Sequence, residues 1–198
     1  IIDVAECEIL FLVSPVQYLS NNLVKLKKNI EPKTIFVCCS KGIEMNSLKL
    51  PSEIVTFIFP KNKIAVISGP NFASEIAKGL PAATVVASKS NLVAKKIAKL
   101  IKSPTLRPYL SDDIIGSQIA GALKNIYAIA SGIVVGKKYG ENAVASIISR
   151  SFAEIKTVAQ SINAKKSTLA GLSGMGDLFL TCSSKESRNF SLGIDLAK

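Results

Sequence analysis

Short, unbroken apolar runs alternate with amphipathic stretches through the first half of the chain. Ile9–Val13 is such a run, the pattern of a strand covered on both faces. Gln17–Lys28 follows with Leu19, Leu23, Val24 and Leu26 at helical spacing, and Glu31-Pro32 breaks it. Thr34–Cys39 predicts a second strand, and Ile64–Ile67 a third that ends in Ser68-Gly69-Pro70. Phe72–Lys78 reads as a short helix closed by Gly79, and Ala83–Ala87 as a fourth strand. Ser88 or Ser90 then caps a helix with an apolar face of Val93, Ile97, Leu100 and Ile101 and with Lys95, Lys96, Lys99 and Lys102 outward. Leu106–Leu110 closes the series as a candidate last strand. This β-α-β order predicts a mostly parallel sheet with crossover helices over residues 1–111.

The strand pattern stops at Asp112-Asp113, a natural N-cap pair. A long helix is predicted from there through Ala130 and beyond, then a turn at Gly136–Gly140, then a second long helix over Asn142–Ile162. Residues 112–198 therefore predict an all-α unit. No internal repeat or low-complexity tract interrupts either half. The layout is common among dehydrogenases and by itself fits many functions.

Composition narrows the chemistry. The 198 residues carry a net charge of +11, yet only three of the 25 basic residues are Arg and the Lys residues are scattered. That distribution reads as a solvated lysine-coated surface rather than a nucleic-acid footprint, and it leaves room for a local anionic substrate. There is no His, so proton chemistry falls to Lys, Asp, Glu, Tyr or Cys. Cys7, Cys38, Cys39 and Cys182 form no C-x-x-C pair, which predicts reduced, buried thiols in a cytoplasmic protein and neither a zinc site nor a disulfide framework. The longest apolar stretch, near Ile126–Val135, is interrupted by Ser131 and Gly132 and falls short of the ~20 residues of a membrane span. The chain opens with Ile1 and no signal-like segment, which reads as processing or as a piece of a longer chain.

Five segments carry candidate chemistry. On the predicted helix after Asp113, Ile115, Ile119, Leu123, Ile126 and Ala130 share one apolar stripe. Lys124 stands instead among Ser117, Gly121, Ala128 and Gly132, the smallest side chains available. A Gly inside a helix costs about 1 kcal/mol against Ala, so something must approach the backbone there. Either Lys124 meets a ligand over a bare strip, or it is an exposed lysine beside a close helix contact. Asp177 opens another helix with Thr181 one turn on, as an ordinary N-cap or as a paired site. Gly174-x-Gly176 is not a dinucleotide fingerprint, because Phe179 occupies the third glycine position. In Ser187-Arg188-Asn189 a guanidinium fork sits among short donors, suited to a phosphate. Ser40-Lys41-Gly42 directly follows a strand, where open α/β sheets bind ligands. Ser68–Ala73 is a strand-to-helix turn with free N–H groups.

In order, Ser40–Glu44, Ser68–Ala73, Gly121–Asn125, Gly171–Asp177 and Ser187–Asn189 resemble the serial motifs of bacterial NAD(P)-dependent glycerol-3-phosphate dehydrogenases, across essentially the whole chain. The resemblance implies a partial Rossmann-type sheet followed by an all-α substrate domain. It implies a cytoplasmic oxidoreductase that uses NAD(P)H to interconvert dihydroxyacetone phosphate and sn-glycerol 3-phosphate, feeding glycerophospholipid synthesis. Lys124 then matches the catalytic proton acceptor in alcohol oxidation, with Asp177 and Thr181 as its active-site partners. Lys41, Gly69, Asn71, Ser187, Arg188 and Asn189 join Lys124 and Asp177 as substrate-binding residues, and Lys41, Ala73 and Arg188 contact the cofactor. No metal, nucleic acid or membrane insertion is implied, and a homodimer is left open.

Three departures qualify the match. Asn71 stands where the family usually has Ser or Thr, and Leu12–Pro15 follows the usual strand end loosely. No Gly-x-Gly-x-x-Gly occurs in these residues, and the family's last helices are not found before Lys198. The rival expectation is accordingly a truncated, inactive product or binding module of the same fold. A dehydrogenase for a non-phosphorylated hydroxy or keto acid is a third reading, disfavoured by Ser187-Arg188-Asn189.

Overall fold

A computed structural model describes Val4 and residues 6–198. The first half forms one five-stranded sheet with its strands in sequence order: β1 (Ile9–Leu12), β2 (Ile35–Cys38), β3 (Ile64–Ser68), β4 (Ala82–Ala87) and β5 (Leu106–Ser111). Pairing is parallel except between β3 and β4, which run antiparallel with Ser68 opposite Val85. The carboxyl ends of β1, β2 and β3 therefore share one edge of the sheet, which also receives the start of β4.

Side-chain alternation sends strand residues to two apolar layers. On one face Leu12, Phe36, Cys38, Val66, Val85 and Ala87 pack with helices α1 (Leu19–Leu26) and α2 (Pro51–Ile58). On the other, Ile35, Val37, Ala65 and Val86 pack with α4 (Asn91–Ile101), whose N-cap is Ser90; the short α3 (Ala73–Ala77) precedes it between β3 and β4. Ser88 does not cap it; its hydroxyl donates instead to the carbonyl of Ile64 at 2.7 Å. α2 is absent from the sequence-based expectation. Its start carries Pro51 at the first helical position, and Glu53 accepts from the Leu50 N–H at 2.8 Å.

Three buried-face expectations fail. β1 lies at the sheet edge, so Phe11 is only partly covered and Val13 is 76% exposed, although the unbroken run predicts cover on both faces. Val24 on α1 and Leu100 on α4 are exposed as well, because each helix buries a narrower stripe than its apolar residues cover. The 3-10 turn Val16–Tyr18 delays the start of α1.

The second half is helical: α5 (Ile114–Gly136), α6 (Glu141–Ser161), α7 (Lys166–Ala170), a single π-turn at Leu172–Gly176, α8 (Asp177–Ser183) and α9 (Arg188–Leu196). Asp113 caps α5 with one carboxylate oxygen on the Gly116 N–H and the other on the Lys165 N–H, both at 2.8 Å. By length and hydropathy α5 is able to cross a membrane, against the expectation that no such segment exists. Here it is the hub of the helical layer, packed on α6, α8, α9 and β3. It is pinned to α2 by Gln118, which accepts from the Ser52 N–H at 3.0 Å and donates to the Ser52 hydroxyl at 2.7 Å.

Candidate active site

α5 buries its small-residue face. Ser117, Gly121, Ala128 and Gly132 are all buried, while Ile126 of the expected apolar stripe is 64% exposed. Two neighbours use that face. At Gly132 and Gly193, α5 and α9 come into backbone contact; a Cβ on Gly132 would lie 2.1 Å from the Phe190 carbonyl oxygen. At Gly121 the neighbour is a lysine from the other half: an added Cβ would meet the Lys41 side chain at 3.4 Å and the Asp177 carboxylate at 3.7 Å.

Lys124 is 9% exposed, so the alternative of a solvated lysine falls. Its Nζ donates to Oδ1 of Asp177 at 2.6 Å and to the Thr181 hydroxyl at 2.8 Å. The other oxygen of Asp177 accepts from Lys41 at 2.5 Å, and Lys41 also donates to the Gly69 carbonyl at 3.3 Å. Asp177 is 2% exposed and is the first residue of α8 rather than its cap. Thr181, one turn on, returns its hydroxyl proton to the Asp177 carbonyl at 2.6 Å, which leaves its lone pairs for Lys124. One buried carboxylate thus holds two ammonium groups, one from each half of the chain.

This arrangement sets the acidity of Lys124. Burial pushes its pKa down most, the Lys41 charge pushes it further, and Asp177 pulls part of it back, leaving it at about 8. Below Lys124, burial lifts the Cys182 thiol to about 12, and Cys39 is lifted to about 11. Both thiols stay protonated at neutral pH and leave proton exchange to the lysine.

A cleft of about 380 Å³ opens above Lys124, lined by Ala73, Thr181, Ser187, Arg188 and Asn189 among others. Ser187 caps α9, accepting from the Phe190 N–H at 3.3 Å. Arg188 is exposed at the first turn of α9 and makes no ion pair among the described residues. Asn71 turns its amide onto the backbone, donating to Pro70 and Ala83 carbonyls at 3.0 and 2.9 Å. It lines the cleft but spends its donors on the turn itself and on β4. Gly69 has φ +151°, and a Cβ there would press on the Thr84 backbone at 3.3 Å, so the turn admits glycine alone at low cost. All the expected site residues therefore meet at one junction. Ser74 and Glu186, joined across the mouth of the cleft at 2.6 Å, were not anticipated; nothing in their local sequence marks them. Among the described residues no three His, Cys, Asp or Glu side chains converge as a metal site.

A parallel-dominated sheet whose strand ends face a helical unit across a lysine-bearing cleft is a Rossmann-like layout with its site at the strand ends. Comparison with known proteins makes this specific. Residues 3–94 match the model of the NAD-dependent glycerol-3-phosphate dehydrogenase N-terminus, and residues 113–198 that of the C-terminus. A glycerol-3-phosphate dehydrogenase [NAD(P)+] of Caulobacter vibrioides is 44% identical over 196 residues, 99% of this chain and 59% of that protein. The crystal structure of glycerol-3-phosphate dehydrogenase from Coxiella burnetii is 35% identical with a TM-score of 0.94, over 98% of this chain and 59% of that one. The enzyme from Saccharomyces cerevisiae is 26% identical with a TM-score of 0.88, over 99% and 59%. The chain belongs to the NAD-dependent glycerol-3-phosphate dehydrogenase family. It spans about three fifths of the length of the relatives it matches.

Proposed function

We propose that these residues form the catalytic junction of an NAD(P)-dependent glycerol-3-phosphate dehydrogenase, with residues 1–111 on the cofactor side and 112–198 on the substrate side. The observation that carries this reading is the buried carboxylate of Asp177 held between Lys124 and Lys41, at the floor of a cleft that Arg188 borders. When bound, the nicotinamide would supply the hydride exchanged with C2 of the substrate. The residues present fit its neighbourhood in part: the Gly69 turn is too tight for a side chain, Ala73 leaves the wall open, and Arg188 is an uncommitted cation. A glycine-rich pyrophosphate cradle is not among these 198 residues.

The roles of the chain's own groups follow from the geometry. In reduction, Lys124 gives a proton to the oxygen at C2, and in oxidation it takes one. Its pKa of about 8 keeps both forms populated near neutrality, as proton transfer requires. Asp177 and Thr181 aim the ammonium group, and Lys41 keeps it acidic while adding positive charge beside the developing oxyanion. Arg188, with the donors of Ser187 and Asn189 beside it, holds the phosphate, so binding energy remote from C2 fixes the reacting geometry. The substrate is then a small phosphorylated molecule and the compartment the cytoplasm.

The test compares dihydroxyacetone phosphate with dihydroxyacetone in a polypeptide that joins these residues to a glycine-rich loop. Arg188→Ala is expected to lower kcat/KM for the phosphorylated ketone by ~10²-fold, the order of a lost charge-assisted pair. It should leave the unphosphorylated ketone nearly unaffected. Equal losses on both substrates would remove Arg188 from the phosphate end. Absence of turnover in the unsubstituted polypeptide would favour the inactive binding module.

A further inference from the structure

A strongly basic surface lies along α4, on the sheet face opposite α1 and α2. Val93, Ala94 and Ile97 hold this helix on the sheet. Its outer face presents Lys95, Lys96 and Lys99, and on either side of them along the helix Leu92 at 78% and Leu100 at 58% exposure, two turns apart. α4 contains no acidic residue. Along one flank a groove brings Lys33, Lys61 and Lys63 beside Leu92 and Lys96. Along the other, Lys89 and Lys95 share a groove with Asp112. Three acidic groups belong to this face: Glu8 pairs with Lys96, Glu31 with Lys33, and Asp112 with Lys165. Lys61, Lys63, Lys95 and Lys99 make no ion pair among the described residues.

We propose that α4 and its flanking lysines form a peripheral docking surface for an anionic phospholipid bilayer. Two chemistries must coincide for such a surface, and both are present. Lysines attract the negative headgroup layer, and their apolar stems lie flat while the ammonium groups reach the phosphates. Exposed leucines on the same helix face enter the headgroup–acyl boundary, which solvent exposure otherwise penalises. Nucleic acid is the weaker fit, because α4 carries no Arg for forked phosphate contacts and no aromatic side chain for base stacking. The Lys124 cleft lies where the strand ends meet the helical unit and no residue of α4 lines it, so docking through α4 leaves it open to solvent.

The test is sedimentation of the chain with vesicles of phosphatidylcholine alone and with vesicles containing about one third phosphatidylglycerol. Selective partitioning onto the anionic vesicles is expected. The triple substitution Lys95→Glu, Lys96→Glu, Lys99→Glu should reduce it by more than ~10-fold, and Leu92→Ser with Leu100→Ser by ~3- to 10-fold. All these positions are exposed, so circular dichroism should be unchanged. No selectivity for anionic vesicles overturns the proposal. So does indifference to the leucine pair, or tighter retention by duplex DNA than by the vesicles.

Discussion

At the residue scale, the acidity of Lys124 is the quantity on which the chemistry turns. A lysine with pKa about 8 is neutral in roughly one molecule in ten at pH 7, against a few in ten thousand for a free side chain. Reduction needs the protonated form, so kcat/KM for dihydroxyacetone phosphate should be level at low pH and fall as pH rises through about 8. Oxidation of glycerol 3-phosphate needs the neutral form and should show the opposite limb, rising through the same pH. Asp177→Asn removes the one group that holds the lysine's pKa up, so both limbs should move to lower pH. A pH profile unmoved by that substitution would uncouple Asp177 from proton transfer. The cost in stability should be large, because two ammonium groups would be left facing each other without the carboxylate between them.

The elements show why some of this was legible and some was not. Glycines at 121 and 132 in a helix announce a close approach, and Lys124 shares their face. What approaches was out of reach of helical periodicity, because Lys41 and Asp177 arrive from 83 residues upstream and 53 downstream of Lys124. The same limit explains the failed burial expectations for Phe11, Leu100 and Ile126. Strand and helix patterns say which residues share a face, and the edge of a sheet or the width of a helix contact decides how much of that face is covered. α2 went unread because Ile54, Val55, Thr56, Phe57 and Ile58 are β-branched or aromatic, residues that suit a strand as well as a helix. The backbone contact of α5 with α9 carries its own expectation. Gly132→Ala would drive a methyl group into the Phe190 carbonyl and should cost ~1–3 kcal/mol or more in urea unfolding. A loss no greater than a few tenths would mean that the helices are free to separate there.

At the scale of the whole molecule, the sheet unit and the helical unit each supply one lysine, and a single carboxylate joins them. The Ser74–Glu186 and Ser52–Gln118 hydrogen bonds fix the same junction at its mouth and its rear. This shared construction is why five short motifs, scattered from Ser40 to Asn189, resemble one family: they are the pieces that meet. The direct measurement is single-turnover reduction of dihydroxyacetone phosphate by Lys124→Ala, in a polypeptide that carries these residues together with a glycine-rich loop. Proton transfer by Lys124 predicts a rate lowered by ~10²–10⁴-fold with substrate binding retained. A rate within a few-fold of the unsubstituted protein would contradict it.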